Sequence, residues 1–195
     1  LLAQARYLDL DKKEPVEREW RLSLTTGIGY MTAQNPDRIN ATQEEHLNAL
    51  KSGFLIQGNV SYFLSETWGP SISLKRFRTS KTTKTLSTDL RLNFIGLGVA
   101  ARTEFSDTIN GFLNGHIGYV HYNDTAEEKK GRALGFDGFA GLDFQITESF
   151  FFRTSLGFFH SNIYKVSDSR GWTYGYRQGQ SLSRVEFTGG IAIYL

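Results

Sequence analysis

Apolar and polar residues alternate with a period of two along most of this chain. That pattern restricts it to β-strands whose two faces meet different surroundings. In the first segment Trp20, Leu22, Leu24, Thr26, Ile28 and Tyr30 share one face, opposite Arg21, Ser23, Thr25, Gly27 and Gly29. The second sets Phe54, Ile56, Val60, Tyr62 and Leu64 against Gln57, Asn59 and Ser61, and a short third sets Ile72 and Leu74 against Ser71, Ser73 and Lys75. The fifth opposes Leu113, Ile117 and Tyr119 to Asn110, Asn114 and His116, and the sixth opposes Phe136, Ala140, Leu142, Phe144 and Ile146 to Asp137, Gly141, Asp143 and Gln145. In the seventh Phe150, Phe152, Leu156 and Phe158 face away from Arg153 and Ser155, and in the eighth Val185, Phe187, Ile191, Ile193 and Leu195 face away from Arg184, Glu186 and Thr188. The fourth changes phase: Leu90, Leu92 and Phe94 give way to Ile95, Leu97 and Val99. One extra residue near Phe94 and Ile95 would restore the facing, so a β-bulge is predicted there.

The connections alternate too. Three are short, around Ser65-Glu66-Thr67, Thr103-Glu104-Phe105-Ser106 and Thr147-Glu148-Ser149, and four are long and polar, at 33–53, 78–87, 123–133 and 165–183. Strict alternation of tight turns and large loops is the pattern of a membrane barrel. Composition agrees: 20 Gly, 15 Phe and 9 Tyr but only 3 Pro suit a twisted sheet carrying aromatic side chains. The net charge of +2 is too small to argue for nucleic acid, and the absence of Cys excludes disulfides and thiolate metal sites. No run approaches the ~18 apolar residues of a spanning helix. The mean hydropathy of −0.34 says little, because alternating faces average out.

Alternation alone does not say which face points outward, since a soluble lipocalin-like carrier would turn its apolar face inward. The polar face here carries small residues and charges of both signs, as a barrel interior does. The apolar rows end in aromatics: Trp20, Trp68, Phe105 and Phe150 near the short turns, Tyr30, Phe54, Tyr119 and Phe158 near the long loops. Two such girdles are expected at membrane interfaces, and ten residue steps tilted by about 40° rise roughly 25 Å, the height of the apolar band. The apolar row runs to Leu195, as in a targeting strand. At the other end, Leu1-Leu2-Ala3-Gln4-Ala5 reads as the close of a signal peptide with a small-x-small cleavage site.

On alternation, loop order and terminal strand, residues 19–195 resemble the small eight-stranded outer-membrane barrels of the OmpA/OmpX type. The expected organisation is a signal-peptide remnant at 1–5, a periplasmic segment at 6–18 and an all-β, eight-stranded antiparallel up-and-down transmembrane β-barrel at 19–195. The resemblance implies residence in a bacterial outer membrane with both termini periplasmic. It also implies insertion by the barrel-assembly machinery and contact with outer-membrane lipids and lipopolysaccharide. It implies no single activity.

Four groups of residues are candidates for function. Inward charges (Asp89, Arg91, Asp137, Asp143, Arg153, Arg184 and Glu186) would form a lumen network, with Asp143 opposite Arg153 across the Thr147-Glu148-Ser149 turn. Eight strands leave room only for side chains or one small ligand, so these groups would plug the lumen. Lys75, Arg76, Arg78, Lys81 and Lys84 cluster around the second long loop, where cations would meet lipopolysaccharide phosphates. His160, Ser161 and Glu186 are the only set suggesting nucleophilic chemistry. In the PagL-like lipid A deacylases one residue separates His from Ser, placing both on one strand face. Here they are adjacent and point to opposite faces. Trp172, Tyr174, Tyr176 and Arg177 in the last long loop are types favoured where a protein partner docks. His46, His116 and His121 lack metal-ligand spacing, and neither a metal nor a cofactor is expected. The reading is a non-enzymatic structural or surface-interaction protein; the alternatives are a lipid A-modifying enzyme, a narrow channel or a soluble carrier.

Overall fold

A computed structural model describes residues 19–32, 52–82, 87–125 and 128–195, and the statements below concern these. Their regular elements are strands: β1 (Glu19–Met31), β2 (Ser52–Phe63), β3 (Trp68–Thr82), β4 (Ser87–Ser106), β5 (Ile109–Asp124), β6 (Lys129–Gln145), β7 (Phe150–Ser167), β8 (Thr173–Ser181) and β9 (Arg184–Tyr194). Consecutive strands pair antiparallel from β1 to β7, then β7 pairs β9 and β9 pairs β1. Eight strands therefore close a ring, with β9 as the eighth wall strand. The closing seam needs Gly27, because a Cβ there would lie 1.9 Å from the Phe187 carbonyl oxygen.

β8 is a departure from the sequence reading, which expected irregular chain at 165–183. It extends the barrel as a hairpin on the outer part of β7, from Asn162↔Ser181 to Ser167↔Thr173. The turn is built by side-chain chemistry that periodicity does not reveal. Asp168 Oδ1 accepts from the backbone N–H groups of Arg170 and Trp172, and Gly171 takes a positive φ of 84°.

The predicted bulge near Phe94 is absent. β4 stays in continuous register with β3 throughout, and with β5 until an irregularity at Glu104/Ser106 beside the short turn. What changes at Phe94 is the polarity of the interior, not the facing of the strand. Toward the long loops the inward row is apolar: Leu90, Leu92 and Phe94 are buried with Leu55, Phe77 and Phe159. Phe94 and Phe159 meet edge to face, 5.5 Å between ring centroids. Toward the short turns the inward rows are polar, with Gln57, Asn59, Ser71, Ser73, Asn114 and Thr188 buried.

The outer wall is the inverse of a soluble core. Leu24 is 56 % and Ile28 67 % exposed, whereas Arg21 and Asp137 are fully buried. All eight girdle aromatics are exposed, from Tyr119 at 43 % to Phe105 at 67 %.

Candidate functional site

Seven charged side chains from five strands form two clusters in the interior, and Asp124 on β5 is buried as well, accepting from the Tyr122 hydroxyl. In the upper cluster, Lys75 on β3 donates to both Asp137 on β6 and Glu186 on β9. Arg184 Nε completes the group, 2.5 Å from Glu186 Oε1, while its guanidinium lies 3.9 Å from the centroid of Phe159. Two cations answer two carboxylates. In the lower cluster Asp143 and Arg153 stand opposite each other across the β6–β7 hairpin. Arg153 grips the carboxylate through Nε (2.7 Å) and Nη2 (2.5 Å), and the Tyr194 hydroxyl donates to it at 2.9 Å. Arg21, on the inward face of β1, donates to Asn114 Oδ1 at 3.1 Å. Between the clusters, His116 Nε2 lies 2.9 Å from Ser71 Oγ and 3.2 Å from Asn59 Nδ2.

Two expected members of this interior network lie elsewhere. Asp89 and Arg91 are on the opposite face of β4 from Leu90 and Leu92, so they point out of the barrel. There Asp89 pairs with Arg91 (2.9 Å) and with Arg78 (3.1 Å). The unbroken register of β4 is the cause. Lys75, which alternation set on the polar face and the basic run set among lipid contacts, is the former: inward on β3 and buried between two carboxylates, it cannot reach a lipid phosphate. Arg76 and Arg78 are outward and exposed. The side chain of Lys81, and Lys84 altogether, fall outside the described residues, as does His46.

Sequence reasoning missed what stands beside Arg76 and Arg78. Lateral pairing carries Arg76 through Asn93 and His121 to Arg132, and Arg78 through Arg91 and Asn123 to Lys130. These are two adjacent rows on the outward face of β3 to β6, one step apart. They lie toward the long loops, directly beyond Leu74, Ile95, Tyr119 and Leu134, all at least 43 % exposed. The signal was available, since Arg132 shares the strand parity of Leu134 and Phe136. Separation in sequence hid the cluster.

The three catalytic candidates are not brought together. Ser161 is buried and donates to the Leu134 carbonyl at 2.9 Å, Glu186 lies in the interior, and His160 is on the outer wall, its ring parallel to Phe158. His160 instead meets Ser183 across the β7–β9 seam, Nδ1 to Oγ 2.6 Å, with Asn162 Nδ2 at 3.3 Å from Nε2. Among the described residues these are the ring's hydrogen-bond partners, and no group of three metal-ligating side chains occurs.

No family model and no curated protein matches the chain in sequence. Solved structures do match in shape. Neisserial surface protein A shows a TM-score of 0.55 at 12 % identity, covering 90 % of this chain and 96 % of its own. Ail, the attachment invasion locus protein of Yersinia pestis, shows 0.50 at 10 % identity, covering 91 % and 97 %, in a complex with the heparin analogue sucrose octasulfate. The chain has the fold of the small outer-membrane β-barrels. In a barrel of this kind the exposed apolar rows are the lipid-facing band, the eight aromatics mark its two borders, and the two basic rows stand at the border on the long-loop side.

Proposed function

We propose that this protein is a structural or surface-interaction barrel of a bacterial outer membrane whose wall holds the phosphates of lipopolysaccharide. In this reading both termini are periplasmic, the long loops are external, and the barrel-assembly machinery inserts the chain. The observation that carries it is the juxtaposition of an exposed apolar band with Arg76, Arg78, Arg91, Lys130 and Arg132 immediately beyond its long-loop border. Outer-leaflet phosphates sit at that height, and guanidinium groups bind them through several N–H donors at once. Each exposed contact contributes less than about 1 kcal/mol, because water and salt screen it. Five together, even with the Asp89 carboxylate offsetting part of the charge of Arg78 and Arg91, make a lasting contact. Trp172, 69 % exposed at the β7–β8 turn, gives the external end an aromatic anchor for a protein partner.

The lumen is closed in this reading. The ion-paired clusters cross the half of it toward the short turns, and Leu90, Leu92, Phe94 and Phe159 pack the half toward the long loops, which argues against a channel. A soluble carrier would need the apolar rows inside. Purified protein should shift in gel mobility when boiled, and planar bilayers should show no stable open conductance. Large steady currents would sink the closed-lumen reading. Lipopolysaccharide binding should weaken severalfold when Arg76, Lys130 and Arg132 are replaced by Gln, most clearly at low salt. Unchanged affinity and salt dependence would remove the wall from the account.

The His160–Ser183 contact is the one observation favouring lipid hydrolysis. It shows a base beside a hydroxyl, while the candidate carboxylate Glu186 is bound inside by Lys75 and Arg184. The expected result is that lipid A mass spectra are the same with and without the protein. Loss of an acyl chain that Ser183→Ala abolishes would make the enzyme reading the better one.

A further inference from the structure

The lower cluster contains more cation and more hydrogen-bond donors than the described residues answer. Arg21 and Arg153 are both buried, on β1 and β7, and their guanidinium carbons lie 5.4 and 4.0 Å from the centroid of one ring, Phe112. Asp143 is the carboxylate of this layer, and both its oxygens are engaged by Arg153. Glu19, the next carboxylate toward the short turns, is held by Arg102. Arg21 Nε and Nη1, Arg153 Nη1 and Asn114 Nδ2 are buried with no acceptor among the described residues. Asn114 cannot turn its amide to help, since its oxygen already accepts from Arg21.

The aromatic rings around Arg21 do not resolve this. Phe63, Phe112 and Tyr194 lie 5.0 to 6.0 Å from its guanidinium carbon, and a π face attracts the cation without accepting its N–H groups as a lone pair would; the Tyr194 hydroxyl also reaches Arg21, but it is neutral and gives its own proton to Asp143. Water could take the donors but not the charge. A buried, uncompensated cation is costly, and one anion answers both deficits. The eight-stranded lumen admits only a small ligand.

We propose that the lower lumen binds one small monovalent anion, a chloride or similar halide, held by Arg21, Arg153 and Asn114. This site lies inside the barrel and shares no residue with the lipid-contact rows, so the two readings stand or fall separately. The anion enters during folding and acts as a structural ligand joining β1, β5 and β7.

The test uses the full chain refolded in detergent separately in sodium gluconate, sulfate, chloride or bromide at one ionic strength, so that access is not limiting. The thermal midpoint should rise saturably with chloride and bromide, by roughly 3–5 °C at tenfold excess over Kd, and not with sulfate. Asn114→Asp supplies the charge covalently and should abolish the halide response. Equal midpoints in gluconate and bromide, or an undiminished response in folded Asn114→Asp, would overturn the proposal. If that variant does not fold, wild-type crystals grown in bromide decide the matter. An anomalous peak beside Arg21 and Arg153 supports the site, and its absence from the lumen refutes it.

Discussion

The two interior clusters use the same chemistry with different arithmetic. Around Lys75 every charge is matched: Asp137 and Glu186 share its ammonium, and Arg184 takes the second oxygen of Glu186. Around Arg153 one carboxylate serves one guanidinium, and among the described residues Arg21 meets only neutral groups: an amide oxygen, the Tyr194 hydroxyl and aromatic rings. A low-dielectric interior strengthens a complete set and penalises an incomplete one. The difference teaches that a barrel lumen cannot be treated as one polar filling. Removing a cation from the matched cluster strands charges, whereas removing Arg21 from the other relieves an excess.

That contrast can be broken by experiment. Lys75→Met should have the largest effect, destabilising by about 4–5 kcal/mol, because it leaves Asp137 without its ammonium and Glu186 with Arg184 alone. Urea unfolding in detergent, followed by tryptophan fluorescence, measures it. A loss under about 1 kcal/mol would show that lumen water screens the cluster. Arg153→Met should cost less, about 3 kcal/mol, since Asp143 keeps the Tyr194 hydroxyl and has Arg21 nearby. Arg21→Met should shift stability by about 1 kcal/mol or less in gluconate, a methionine packing against Phe63 and Phe112 where an unmatched cation stood. If Arg21→Met proved as damaging as Lys75→Met, the claimed asymmetry would be wrong. The smallest effect belongs to the outer wall: Arg132→Gln should leave stability within about 0.5 kcal/mol and register only in lipopolysaccharide affinity. A larger loss of stability would mean the wall charges are structural.

The alternation of Trp20 to Tyr30 and of Phe136 to Ile146 was sufficient to read strands, facing and loop order, because a period of two leaves a strand only two environments. The Asp143–Arg153 pairing followed from a short turn, where register is a local matter. The interior of β4 was misread for the converse reason. Leu90, Leu92 and Phe94 are apolar residues facing inward, and polarity was the signal used to infer facing, so an apolar layer inside the barrel imitated a bulge. Lys75 was placed among lipid contacts because neighbours in sequence were treated as neighbours on the surface, although adjacent strand residues point to opposite faces.

The sequence by itself determined a ring of eight strands, its apolar exterior and the residues of its two aromatic borders, since those properties are local and repeat along each strand. Only the tertiary structure decided which charges distant in sequence meet. Lys75 reaches Asp137 and Glu186 over sequence separations of 62 and 111, Arg76 shares a row with Arg132, and Arg21 lies beside Arg153 without a carboxylate of its own. Those contacts run across the lumen or around the wall. Closure of the sheet and its stagger set them, and no periodicity within one strand encodes either.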